Sequence, residues 1–214
     1  INNHFQIPML IISHHLEDIL KLTRKVVIIE NGKSTACGDI FNIIKNGDKP
    51  ELIQPKKFQN TFTASYKNYN KTENTFGLTL GNSAELHIAD HSKLLHNQME
   101  PGTSLQLSLR PIDIALSIEK QEGTSIQNHI KGTINKIIHN AEGVFCVIDC
   151  GFELFVEISQ GIINNLYLHE GQEIFCQIKA NDIDVVHVFD KTGNYKTNRI
   201  NCIEKADVIM HLQD

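Results

Sequence analysis

From Phe76 to Ala180 the sequence repeats one device. Short runs in which apolar and polar residues alternate are separated by Gly, Asn and Asp turns: "FGLTLG", "AELHIA", "SLQLSLRP", "GTINKII", "VFCVIDCG", "ELFVEIS" and "EIFCQIKA". Successive side chains of a strand point to opposite faces, so alternation with period two marks half-buried strands. Many short strands in series close most readily into small barrels. The runs also repeat as a group. "PGTSLQLSLRPIDIAL" from Pro101 lies on "EGQEIFCQIKANDIDV" from Glu170 at a constant offset of 69, which matches Gly102 with Gly171, Arg110 with Lys179, Asp113 with Asp182 and Ile114 with Ile183. Upstream, "GNSAEL" from Gly81 echoes "GFEL" from Gly151 with a gap of two. This predicts two copies of one barrel unit, at 58–118 and 124–187.

The front of the chain has another period. Residues 7–12 read as a buried strand ending in Ser13-His14-His15, and Leu16, Ile19, Leu20 and Leu22 form the apolar face of a helix over 16–22. "KVVIIENGK", Lys25 to Lys33, reads as a second buried strand closing on an Asn31-Gly32 turn. Gly38-Asp39 then caps a short helix, "DIFNII", with Asp39 as N-cap. Strand, helix and strand in that order mark an α/β layer. Roughly 45 residues cannot bury both faces of a sheet, so residues 1–45 are expected to be the end of a larger domain. The polar stretch 46–57, with two prolines, reads as a linker. Residues 188–214 carry only a weak pattern, "CIEKADVIMHL", and receive no assignment. The fold class expected is an α/β remnant followed by an all-β part of two tandem small OB-like barrels.

Composition narrows the function classes. A net charge of −5 argues against a general nucleic-acid or membrane-surface binder, so no nucleic-acid partner is expected. No apolar run approaches the roughly 20 residues that span a bilayer, and no signal peptide is visible. The five cysteines, Cys37, Cys146, Cys150, Cys176 and Cys202, contain no C-x-x-C pair and are odd in number. Free thiols in a reducing cytosol are expected rather than a zinc site or a disulfide framework, and no metal ligand is assigned.

A polar residue just past a buried strand is where open α/β sheets keep their ligand chemistry. A neutral imidazole there can bond a phosphate oxygen or orient water. The stretch "IPMLIISHHLEDILKLTRKVVIIENGKSTACGD" resembles the last part of an ABC-transporter ATPase domain, in which an apolar strand ends in Ser-His, a helix with an acidic first turn follows, and then a strand of the form D-R-V-x-V-L-x-x-G. The resemblance implies that His14 is the switch histidine contacting the ATP γ-phosphate in a dimer of ATPase subunits, with ATP and Mg as cofactors. His15 falls at a variable position and reads as a helix N-terminal residue, with Glu17 and Asp18 in the first turn. The letters G-K-S at Gly32 do not make a phosphate loop, because Val27 stands where its first glycine would be. Without that loop the 214 residues are expected to be inactive by themselves.

The barrel part resembles the accessory TOBE domain of ABC importers, its second unit the molybdate-binding Mop subtype. "TSIQNHIKGTINKI" is similar to T-S-A-R-N-x-L-x-G-x-V, and "LHEGQEIFCQIKANDI" to L-x-x-G-x-x-V-x-A-x-I-K-A-S-x-V. The resemblance implies an oxyanion site of Ser125, Gln127, Asn128 and Lys179, with Asn181, formed between barrels. Gln127 stands where the family often has Arg, and Asn181 where it often has Ser. Arg110-Pro111 replaces Lys179-Ala180 in the first unit; the proline is expected to change the backbone and remove a donor, leaving that unit without oxyanion affinity. Together these resemblances imply the ATP-hydrolysing subunit of a molybdate importer, peripheral at the cytoplasmic face of the membrane. Its partners would be a permease subunit, a second ATPase subunit and, indirectly, a periplasmic or surface molybdate-binding protein. An importer of sulfate, iron, polyamine or sugar, or a stand-alone molybdate sensor, is the alternative.

Overall fold

The computed structural model describes residues 9–47, 49, 52, 58–81, 84–90, 99–141, 143–189 and 206–211, with only the backbone for Met9, Glu17, Lys21 and 206–211. The α/β layer comprises β1 (Met9–Ser13), α1 (Leu16–Leu22), β2 (Lys25–Glu30), β3 (Lys33–Asp39) and α2 (Ile40–Asn46). Leu16, Ile19 and Leu20 are buried on one face of α1. Asn31 and Gly32 both take positive φ, at 49° and 74°, as a two-residue hairpin turn requires, and set Glu30 opposite Lys33. Asp39 Oδ1 accepts from the N–H groups of Phe41 at 2.9 Å and Asn42 at 3.4 Å, which caps α2; Gly47 at φ 85° closes it.

Two features of this layer differ from the sequence expectation. The first strand is not buried along its described length: Leu10 is 59% and Ile12 69% exposed, while residues 7 and 8 lie outside the described residues. And the unassigned tail supplies a strand, β14 (Ala206–His211), which lies parallel between β1 and β2 with Ile12 opposite Ile209 and Ile209 opposite Val27. The sheet order is β1-β14-β2-β3, so β1 is an edge.

The rest is β4 (Asn60–Asn70), β5 (Thr75–Leu80), β6 (Ala84–Ala89), β7 (Ser104–Leu109), β8 (Ile114–Ser117), β9 (Asn128–His139), β10 (Val144–Asp149), β11 (Glu153–Ile158), α3 (Gln160–Leu166), β12 (Glu173–Ile178) and β13 (Asp184–Phe189). All seven alternating runs are strands. They form two curled five-stranded sheets, β13-β7-β4-β5-β6 and β11-β10-β9-β12-β8. Each sheet takes four strands from one unit and its last from the other: β8 pairs with β12, and β13 with β7. The exchange merges the interiors into one apolar core running from Ala64 to Val188.

A second core joins layer and barrel. Phe41 of α2, Phe58 just before β4 and Phe155 of β11 form a triangle with ring centroids 5.3, 5.2 and 5.0 Å apart. Each such pair adds about 0.5–1.5 kcal/mol beyond its buried area. Within 46–57, read from sequence as a linker, Lys49 pairs with Glu30 at 2.6 Å and Leu52 is buried. Those two residues are anchored on the layer.

Candidate functional site

Asn128 opens β9 opposite Ile178, the last residue of β12. Gln127 and the 3-10 turn Ala180–Asp182 are thereby brought to one sheet end, where the Ala180 N–H donates to Gln127 Oε1 at 3.0 Å. Ser125, Gln127, Lys179 and Asn181 are all exposed. Lys179 makes no ion pair among the described residues. With the Gln127 oxygen engaged, its NH2 group is the part of the amide left to donate. Asn128 differs from the rest of the predicted set. It is buried, its Oδ1 accepts from His87 N–H at 2.6 Å, and its Nδ2 donates to His87 O at 2.8 Å and Ile178 O at 3.1 Å. Every amide hydrogen is spent, so Asn128 fastens β9 to β6 and has no N–H left for an anion.

The first unit repeats this place. Arg110 has φ −74° and ψ 141°, Lys179 φ −73° and ψ 141°; Ile114 and Ile183, which close the two turns, agree equally well. The expected change of backbone at Pro111 does not occur, because the first position of such a turn already has the φ that proline imposes. The expected loss of a donor does: Gln59, with no N–H at Pro111 to accept from, accepts from the Ser108 hydroxyl. Arg110 is also committed, donating from Nε to Asp113 Oδ2 at 2.6 Å and from a terminal nitrogen to Oδ1 at 2.8 Å, bonds that raise its pKa further.

Sequence reasoning missed Asn60. It is buried, its Nδ2 donates to Phe155 O at 2.9 Å, and its Oδ1 accepts from Phe155 N–H at 2.7 Å. The signal was present as Gln59-Asn60 and Gln127-Asn128, 68 residues apart, one fewer than the offset that aligns the downstream halves.

His14 follows the first strand and is exposed. Its ring lies against His15 with centroids 3.9 Å apart, and Ser13 Oγ accepts from the His15 N–H at 3.1 Å. The described cysteines are free. Burial pushes the Cys146 thiol up to about 12. The Cys176 thiol is raised by its contact with Cys150, 3.9 Å between sulfurs, and by burial. Neutral, apolar thiols suit a core role.

No family model matches the chain. Among curated proteins it is 25% identical over 183 residues to the molybdenum import ATP-binding protein ModC of Photorhabdus laumondii, covering 84% of this chain and 49% of that protein. It is 26% identical to ModC of Pasteurella multocida over 182 residues, and 26% identical to that of Vibrio cholerae over 185. The relatives of this chain are molybdenum import ATP-binding proteins. The chain spans about half the length of the ModC relatives it matches. Among solved structures it resembles the cytoplasmic molybdate-binding protein ModG, determined with molybdate bound, at TM-score 0.51 and 18% identity, over 59% of this chain and 94% of that one. That likeness shows the fold of the paired barrels. Among the described residues no helix is long and apolar enough to cross a membrane.

Proposed function

We propose that the chain is the C-terminal half of the ATP-hydrolysing subunit of a molybdate importer, its barrels a regulatory and dimerising domain that binds molybdate. The observation that carries this reading is the union in one chain of a Ser-His strand end and a paired barrel, matched over 84% of its length by ModC proteins. In the whole subunit, ATP with Mg would supply the phosphoryl group that passes to water. Exposed His14 would hold a γ-phosphate oxygen through a ring nitrogen. The remaining phosphate-binding groups would come from residues outside this sequence, which has no glycine-rich phosphate loop. The partners that follow are a permease, a second ATPase subunit and, indirectly, an external molybdate-binding protein, with the subunit peripheral at the cytoplasmic face.

For the barrel, Lys179 supplies charge, Ser125, the Gln127 NH2 group and Asn181 supply polar contacts, and Asn128 positions the strand that carries them. These groups lie open at a sheet end, so a second barrel closing over them would complete the site. Calorimetric titration of the 214-residue chain tests it. Molybdate and tungstate should bind in preference to sulfate. Lys179→Ala should remove most of the affinity, and Gln127→Arg should raise it by about tenfold, since a guanidinium adds a charge-assisted contact. Parent and variants binding alike, or none binding, would reduce the barrel to a dimerisation module. Joined to its upstream half, the subunit should lose turnover by about a hundredfold on His14→Ala, because a group acting on developing phosphoryl charge falls on the transition state.

A further inference from the structure

Where the α/β layer meets the barrels, a cavity of about 270 Å3 is lined by polar side chains together with the apolar Phe62, Leu80 and Phe152. Arg24, between α1 and β2, reaches it from the layer; Thr61 and Thr63 of β4 and Gln106 of β7 reach it from the barrel. Thr61 is only 6% exposed. Its hydroxyl and the Arg24 Nε are both shielded from solvent and have no partner. The guanidinium is not free to turn away. One terminal nitrogen donates to Asp39 Oδ1 at 2.9 Å, and the group lies 4.0 Å over the Phe41 ring. Asp39 is itself fixed as the cap of α2.

Buried donors left unpaired are costly, and the chemistry of this set states what would satisfy it. Arg Nε only donates, a threonine hydroxyl can donate, and a glutamine offers an NH2 group. No carboxylate stands among the described lining residues. A ligand that accepts several hydrogen bonds and carries negative charge fits such a set. We propose that this cavity binds a small tetrahedral oxyanion of the phosphate, sulfate or molybdate class, held by Arg24 Nε and the Thr61 hydroxyl with Thr63 and Gln106 beside them. It is separate from the strand end of Lys179. Since its donors come from both layer and barrel, occupancy ties the two together and raises stability by mass action.

The second unit shows why the preference belongs to this cavity. Residue 129 stands where residue 61 stands in the first unit, and His129 also has a buried ring nitrogen, Nδ1, without a partner. Its Nε2 donates to Ile126 O at 3.0 Å, so in the neutral ring Nδ1 is an acceptor, the wrong polarity for an anion.

The test titrates the 214-residue chain separately with sulfate, phosphate and molybdate, following the Arg24 Nε–H resonance by NMR and the melting temperature. A saturable shift of that resonance and a rising melting temperature are expected with at least one of the three. Thr61→Val keeps the shape and β-branching of the side chain, and Arg24→Lys keeps the charge and removes the Nε–H. Each should weaken binding by about tenfold or more, read at the Arg24 resonance for Thr61→Val and by the melting temperature for Arg24→Lys. An Arg24 resonance unmoved by all three anions at tens of millimolar, or an affinity indifferent to Thr61→Val, would make the cavity a water pocket and overturn the proposal.

Discussion

At the end of β7 the chain reads Arg110-Pro111-Ile112-Asp113, and at the end of β12 it reads Lys179-Ala180-Asn181-Asp182. The two turns have the same dihedrals at their entry to within a degree. Their chemistry is opposed. In the first, the cation is spent on a two-bond contact with Asp113 and proline removes the backbone donor. In the second, the ammonium is unpaired among the described residues and the Ala180 N–H orients Gln127. A duplicated backbone therefore does not duplicate a set of free donors. The duplication preserves what holds the units together, and the residues around each turn decide what it can bind.

The strongest way to break the comparison is to remove the shared part. Asn60 and Asn128 make the same contact, an amide side chain paired with a backbone N–H and C=O of the other unit, at Phe155 and His87. Truncating either leaves those backbone groups without their partner, buried at Phe155 and half-buried at His87. Asn128→Ala should cost about 3 kcal/mol and Asn60→Ala about 2 kcal/mol, the difference being the third bond, to Ile178 O. Urea unfolding measures both. A loss confined to one of them would mean that the units are not locked symmetrically.

A smaller effect separates the units at one residue of the core. Ala64 of β4 corresponds to Gly132 of β9. The alanine methyl is buried without difficulty, but a Cβ on Gly132 would sit 2.6 Å from Cys150 Sγ, 2.6 Å from Ile148 Cγ2 and 2.8 Å from Asp149 O. Two of those atoms could shift; the carbonyl belongs to a strand. Gly132→Ala should destabilise by about 2 kcal/mol, within the usual cost of overpacking. Ala64→Gly should cost about 1 kcal/mol, from backbone entropy together with the lost burial of its methyl. Equal losses would show that the second unit had relaxed around its new methyl.

Much of this was legible in the sequence, for physical reasons that differ by element. The alternating runs became strands because period two has only one way to bury a face. Asp39 was readable as a cap, and Asn31-Gly32 as a turn, because those positions depend on local geometry. The exchange of β8 and β13 was not legible: a four-residue strand such as "IALS" pairs equally well with either sheet by pattern, and only the shared core chooses. The tail strand β14 was missed because its pairing partners, Met9 to Ser13 and Val26 to Ile29, are distant in sequence. At the candidate site, the nearness of Gln127 to the Lys179-Ala180 turn follows from register. Asn128 was read as a ligand because residue type gives no indication of whether an amide is already satisfied; that depends on His87, 41 residues away.

The finest test exchanges the turns. Ala180→Pro keeps the backbone, since Lys179 before it already has the extended φ and ψ that a following proline demands. It deletes the N–H that Gln127 accepts, worth about 1 kcal/mol. It also stiffens the unfolded chain, which returns about 0.4–1 kcal/mol. The net change in stability should therefore be small, and the informative readout is Gln127, whose side-chain amide resonances should collapse toward those of a free glutamine. Pro111→Ala runs the other way. It restores a donor beside Gln59, but Gln59 is already engaged by Ser108 and Arg110 by Asp113. It should lower stability by about 0.5 kcal/mol through the unfolded chain and create no oxyanion affinity. If Ala180→Pro instead cost more than about 3 kcal/mol, the scale of a proline forced into an incompatible site, the two turns would not share a backbone in solution. If Pro111→Ala gained oxyanion binding, the proline rather than the Arg110–Asp113 pair would be what silences the first unit.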